Sequence, residues 1–244
     1  MKNFVVVTRP EPGLSETIDR INQLGFNALS MPLIAIEPLK IKFNINKPIG
    51  GIIFTSRQAI KPTIDVLCRN GIEYCNIPVY TVGKMTALDA KKGGFNKILN
   101  GNKDSETLLE LIKNSFFSLD SILFYPTAKN KGKYLEQGLK KARIEVCRYE
   151  IYQTHAVHCL DKHFIDYLNH GTIDTILFFS LQSVKNFADL LPEKYVNDLR
   201  NVNAVGISYK LYSALKQFKW KRLVVSQQPN TDEMLFILKA FLKD

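Results

Sequence analysis

Short apolar runs rich in β-branched residues alternate along the chain with amphipathic stretches, and glycine or proline marks many of the boundaries. Residues 4–7 are one such run. Thr8-Arg9-Pro10 follows, then an amphipathic stretch over 15–24 that stops at Gly25, which reads as strand, loop, helix and glycine stop. Residues 27–36 read as extended, interrupted by Pro32. Residues 52–54 predict a second buried strand. Ser56 is placed to N-cap a helix over 58–68, in which Pro62 sits awkwardly. A strand at 79–82, a helix at 85–92, a strand at 98–99 and a helix at 106–114 complete a first unit. A second opens with a strand at 122–125 and a helix at 134–142. It continues through extended pieces at 145–154, 176–179, 204–205 and 223–225 to a closing helix over 233–242. This order predicts an α/β protein with parallel sheets covered by helices on both faces.

The pattern also repeats itself. Residues 51–67 (GIIFTSRQAIKPTIDVL) return as 175–191 (TILFFSLQSVKNFADLL), with Ser56 over Ser180 at an offset of 124. Residues 80–88 match 203–211, with Gly83 over Gly206 at an offset of 123; residues 98–109 echo 224–235, with Ser105 over Thr231 at 126. Near-constant register over several pieces implies one supersecondary unit used twice, at a period far too long for a solenoid. Two pseudo-equivalent lobes facing each other across a cleft are expected. The residues alone also permit two tandem lobes split near Leu119.

Composition narrows the class. A chain of 244 residues with 45% hydrophobic and 23% charged content is long enough for one large or two small soluble domains. It has no run of the ~18 apolar residues needed to span a membrane and no signal-peptide pattern, so a cytoplasmic protein without membrane association is expected. Cys68, Cys75, Cys147 and Cys159 form no CxxC pair and are expected as reduced, buried thiols. His155, His158, His163 and His170 fall in one stretch, but no pair is at i, i+4 and no ligand set completes them. An exposed segment is expected rather than a metal site. The net charge of +10 favours a polyanionic partner. The basic residues are spread rather than clustered with aromatics, and no helix-turn-helix, zinc-finger or RNP signature is present, so nucleic acid ranks low.

GxGxxG, Walker, GxSxG and HExxH motifs are all absent. What recurs is a strand ending in a small hydroxyl or glycine residue with a helix starting at once. This happens at Thr55-Ser56, Val82-Gly83, Asp104-Ser105, Phe179-Ser180, Val205-Gly206 and Asn230-Thr231. A helix start presents unpaired N–H groups and the positive end of a dipole, and in open α/β sheets such starts gather beyond the carboxyl ends of the strands. Plain N-capping would use the same residues. Their repetition beside excess positive charge favours a site that holds several carboxylates.

Taken in order, these pieces resemble the uroporphyrinogen-III synthase family. VVVTRPEPG resembles its VTRP start, GIIFTSRQAI its strand–helix corner and VYTVGKMTA its VGxxTA loop. ILFYPTAKNKGKYLEQGLKKARIEVCRYEIYQT resembles the unit ending in its VYxT signature. FFSLQSV, AVGISYKLYSAL and QPNTDEML resemble the second corner, loop and final helix. Each motif is weak alone; the ordered set spans essentially the whole chain. The resemblance implies two flavodoxin-like or Rossmann-like parallel-sheet lobes joined by a two-stranded hinge near residues 34–39 and 149–154. Lobe one would take 1–36 with 157–244, and lobe two 37–156.

The resemblance also implies a reaction. The linear octacarboxylate hydroxymethylbilane, handed over by the preceding pathway enzyme, loses its terminal hydroxyl as water. It then closes through a spiro intermediate to uroporphyrinogen III with ring D inverted, in tetrapyrrole and haem biosynthesis. No cofactor and no metal are implied, and a monomer is expected. Tyr152, in Ile151-Tyr152-Gln153-Thr154, is the candidate acid for the departing hydroxyl, with a packed hinge tyrosine that only binds as the alternative. Arg9, Ser56, Gly83, Thr86, Ser105, Ser180, Gly206, Ser208 and Thr231 are the candidate substrate-binding residues. Tyr209 stands over Thr86 in the repeat, where relatives often keep a threonine. Lys129, Lys131 and Lys133 replace the family arginine near Pro126. A non-catalytic two-lobed binding module for an acidic small molecule, or a regulatory relative, remains the alternative.

Overall fold

The computed structural model describes residues 3–101, 104–118 and 120–241. In chain order the strands and α-helices are β1 (Phe4–Val7), α1 (Leu14–Gln23), β2 (Asn27–Ser30), β3 (Ile34–Pro38), β4 (Ile49–Phe54), α2 (Ile60–Arg69), β5 (Val79–Thr81), α3 (Lys84–Lys92), β6 (Ile98–Asn100) and α4 (Ser105–Ser115). They continue with β7 (Ile122–Ala128), α5 (Tyr134–Lys141), β8 (Val146–Ala156), α6 (Lys162–Asn169), β9 (Ile173–Phe178), α7 (Leu181–Leu190), β10 (Asn203–Gly206), α8 (Tyr212–Leu215), β11 (Arg222–Val225) and α9 (Thr231–Ala240). The chain divides into two compact units. Unit 1 is Met1–Ala35 with His155–Asp244, and unit 2 is Ile36–Thr154. The tandem split near Leu119 and the predicted helix end at Leu242 lie outside the described residues.

Unit 1 holds a five-stranded sheet in the order β11-β10-β9-β1-β2, with every neighbouring pair parallel. Its central strand explains its sequence. Val5, Val6 and Val7 are all buried, because helices cover both faces. The period of two sends Val6 into one core with Phe164, Phe178 and Phe187. Val5 and Val7 enter the opposite core with Leu14, Ile21, Met234 and Leu238 of α1 and α9. Gly25 ends the first βα piece at φ 86°, a left-handed conformation that favours glycine.

Unit 2 holds a six-stranded sheet, β3-β8-β7-β4-β5-β6, whose run from β8 to β6 is parallel throughout. The same alternation divides its core. Ile52 and Phe54 of β4 and Phe124 of β7 lie on one face, and Ile53, Leu123 and Tyr125 on the other.

Several sequence expectations are corrected by local physics. The helix expected over 58–68 is a 3₁₀ turn at Arg57–Ala59 followed by α2. Pro62 therefore sits in the first turn of α2, where its missing N–H costs no intrahelical bond, and its ring is buried. The cysteines are not core thiols: Cys68, Cys75 and Cys159 are exposed and Cys147 is half-buried, all free. Cys68 falls on the outer face of the last turn of α2, which no compositional prior for burial can foresee. The four histidines are exposed; His155 and His158 stack at 6.5 Å, and His163 lies against Tyr167. Among the described residues no group of three or more His, Cys, Asp or Glu is arranged to hold a metal ion. No described helix is long and apolar enough to cross a membrane.

Candidate functional site

Parallel pairing places the carboxyl ends of each sheet's paired strands on one edge, and the residues singled out by sequence fall on those two edges. In unit 2, Thr55 and Ser56 follow β4, Gly83 and Thr86 follow β5, and Tyr152 lies on β8 opposite Ala128 at the end of β7.

Tyr152 owes its position to a register shift. Thr127 pairs with Glu150, whereas Ala128 pairs with Tyr152, so Ile151 is an extra residue on β8. Strict alternation would send Ile151 and Tyr152 to opposite faces. With the shift, both pack into the same core beside Ile52, Phe54 and Phe124. Tyr152 is 4% exposed, and the Ser56 hydroxyl is close enough to its phenol to influence its ionisation. Burial pushes the phenol pKa above its ordinary value, the Ser56 hydroxyl opposes this, and nearby Tyr125 adds to it. The phenol is therefore protonated at neutral pH and is a donor. Tyr125 extends the cluster, its hydroxyl lying 3.4 Å from Thr55 Oγ1. Sequence reading missed Thr55 and Tyr125 as partners, because their strands are separated by about seventy residues and only the β4–β7 pairing joins them.

The helix starts are not equivalent. Ser56 accepts from Gln58 N–H, and Ser180 accepts from Ser183 N–H, so both hydroxyls are engaged as caps. α3 has no side-chain cap. Gly83 precedes it at φ 79°, and a side chain there would meet open space, so the backbone conformation is what calls for glycine. No side chain among the described residues caps the N–H groups of the first turn of α3, which suits them to an external acceptor, and Thr86 in that turn is buried. At α4 the cap is Asp104, in a reciprocal capping box with Thr107, and Glu106 adds a second acid. At α9 the cap is Asn230; Asp232 and Glu233 occupy the first turn, and Glu233 accepts from Gln227 and Gln228 N–H. Ser105 and Thr231 are the first helical residues rather than caps, and the carboxylates beside them disfavour another anion at those two starts.

Cationic groups sit on the same edges. The loop after β7 carries exposed Lys129, Lys131 and Lys133. Half-buried Arg148 holds that loop from beneath. It donates to Lys131 O at 2.9 Å, and it pairs with Glu150, which accepts from Asn130 N–H. Arg57, just after Ser56, is ion-paired with Asp89 of α3, which ties the two corners together. In unit 1, Arg9 follows β1 and lies over the Phe179 ring at 4.6 Å while donating to Thr231 Oγ1 at 3.2 Å. The Ile207 N–H donates to Phe178 O at 2.9 Å, which sets Gly206 and Ser208 beside Ser180. The two edges are thus lined by donors and cations, suited to a ligand with many carboxylates.

The family model for uroporphyrinogen-III synthase HemD matches residues 15–235. A "Putative uroporphyrinogen-III synthase" of Archaeoglobus fulgidus is 26% identical over 239 residues, covering 97% of this chain and 98% of that protein. The porphyrin biosynthesis protein HemD of Ruminiclostridium josui is 22% identical over 245 residues, covering 95% of this chain but 47% of that longer protein. The crystal structure of uroporphyrinogen-III synthetase from Helicobacter pylori 26695 is similar in fold, with a TM-score of 0.62 at 18% identity, over 99% of this chain and 100% of that one. With a match across nearly its whole length, the chain belongs to the uroporphyrinogen-III synthase family.

Proposed function

We propose that this protein closes hydroxymethylbilane to uroporphyrinogen III, with loss of water and inversion of ring D. The observation that carries the reading, within the family, is the buried Tyr152 phenol, held protonated beside Ser56 at the carboxyl edge of unit 2. Departure of the substrate's terminal hydroxyl needs a proton or a strong hydrogen bond on the leaving oxygen, and Tyr152 supplies it. The open start of α3, the 129–133 lysines and the hydroxyls at Ser56, Ser180 and Ser208 receive the carboxylates. Hydroxymethylbilane also closes in water to the uninverted isomer, so the protein must favour attack by the substituted carbon of ring D. Favouring one path by about a hundredfold needs about 2.7 kcal/mol, which a few placed hydrogen bonds supply. Supplying hydroxymethylbilane and measuring the ratio of isomer III to isomer I tests this directly. Isomer III is expected to dominate; isomer I alone would leave a binding or regulatory protein as the reading.

The two units are read as copies of one ancestral βα unit. The strand orders β2-β1-β9-β10-β11 and β8-β7-β4-β5-β6 support this reading, since both follow the 2-1-3-4-5 arrangement of flavodoxin-like sheets once β4, β5 and β6 are set over β9, β10 and β11. The chain passes between the units at residues 35–36 and 154–155 only, within β3 and β8. These segments are the proposed hinge. Solution scattering should change on addition of uroporphyrinogen III; identical profiles with and without it would remove the hinge.

A further inference from the structure

We propose that the stacked pair Tyr209 and Tyr212 is an aromatic platform on which a pyrrole ring of the substrate packs. The inference rests on the substrate reading above and adds a residue that the sequence motifs give no reason to expect. Tyr209 is 76% exposed, and its ring lies against Tyr212, with centroids 5.6 Å apart and planes 4° from parallel. Tyr212 is half-buried, and the short α8 that it opens is anchored in the core by Leu215, with Leu211 buried just before it. One ring is thus fixed by packing and offers its face to the second, which offers its own face to solvent.

Location gives the pair its use. The corner after β10 is bonded to the end of β9 through Ile207 N–H and Phe178 O, so Tyr209 shares the unit-1 edge with Ser180 and Leu181. Leu181 is itself exposed, adding apolar surface next to the Ser180 hydroxyl, and Lys210 is exposed on the same turn. A pyrrole bearing acidic side chains needs this combination: a flat apolar contact for the ring, with donors and a cation at its rim for the carboxylates. In the sequence register Tyr209 stands over Thr86, which is buried in unit 2. The corresponding corners of the two units therefore present unlike groups. One offers open helix N–H groups and no ring, and the other offers a ring.

Equilibrium binding of uroporphyrinogen III under argon, with turnover of hydroxymethylbilane by the full chain, tests the platform. An aromatic contact of this kind carries about three- to tenfold in affinity. Tyr209→Ala should weaken product binding and raise KM by that factor, with less effect on kcat, as for an interaction made equally in ground and transition states. Tyr209→Phe, which keeps the ring, should stay within about twofold of wild-type affinity. Phe236→Ala, an equally exposed aromatic on α9, should leave binding unchanged. Tyr209 is a surface side chain, so the variants are expected to fold, and Tyr209→Thr gives a second ring-free variant for comparison. Wild-type affinity in both Tyr209→Ala and Tyr209→Thr would overturn the platform. Equal losses in Tyr209→Phe and Tyr209→Ala would overturn it too, since the hydroxyl and not the ring would then bind. If the wild-type protein neither forms isomer III nor binds uroporphyrinogen III, the substrate reading itself fails.

Discussion

Replacing Tyr152 by phenylalanine should slow formation of isomer III by about a hundredfold or more, the lower end of what a positioned proton donor contributes. Product affinity should stay within about twofold, because the ring that fills the core beside Phe54 and Phe124 remains. Removing a buried hydroxyl can also change stability, so melting must be followed alongside turnover. Residual product should shift toward isomer I, since closure in water continues without the protein's guidance. Wild-type turnover in the variant would leave Tyr152 as a packed strand residue only.

The pH dependence adds a second check. Burial raises the phenol, so the donor form persists through neutral pH, and the alkaline fall attributable to Tyr152 belongs above its ordinary value near 10. A descending limb below pH 9 that vanishes in Tyr152→Phe would contradict the elevated pKa. The sign for stability agrees. A phenol raised in the folded state contributes stability that is present below the unfolded value and lost as pH climbs through the folded one.

Much of this fold was legible because each buried strand announces itself. Val5-Val6-Val7 and Ile52-Ile53-Phe54 are continuous apolar runs, and only strands covered on both faces tolerate that. The hydroxyl and glycine corners were legible for a related reason: a helix that starts directly after a strand needs a cap or an unusual backbone angle there. Ser56, Ser180 and Gly83 meet that need in the structure. What sequence could not show is how alike these corners are in use. Nothing in the strings DSETLL and NTDEML says that the Asp104 and Asn230 side chains take helix-start N–H groups of the kind that Gly83 leaves open, because a capping side chain and a substrate carboxylate seek the same donors. The extra residue at Ile151 was equally hidden, since a register shift depends on the partner strand. The Thr55–Tyr125 contact and the support of the lysine loop by Arg148 are tertiary and leave no local trace.

The largest stability effect should come from Phe187→Ala in α7. Phe187 is fully buried and touches four other aromatic rings, those of Phe164, Phe178, Phe218 and Trp220, at centroid distances of 5.4 to 6.1 Å. Truncating such a ring removes its transfer free energy and leaves a cavity that rigid neighbours cannot fill, a loss of about 3–5 kcal/mol. That is a large part of the 5–15 kcal/mol typical of a domain, so unit 1 should become marginal. The consequence is readable because the chain has a single tryptophan, Trp220, and its ring stacks on Phe187 within unit 1. Trp220 fluorescence therefore reports unit 1 alone, whereas far-UV ellipticity reports both units. In denaturant the fluorescence transition should move to much lower concentration, while ellipticity splits into two steps because unit 2 keeps its own core of Phe54, Phe95 and Phe124. Phe54→Ala should do the reverse, shifting the part of the ellipticity change that Trp220 does not follow. If fluorescence and ellipticity shift together in both variants, the units unfold as one cooperative block, and the two separate cores do not confer separate stabilities.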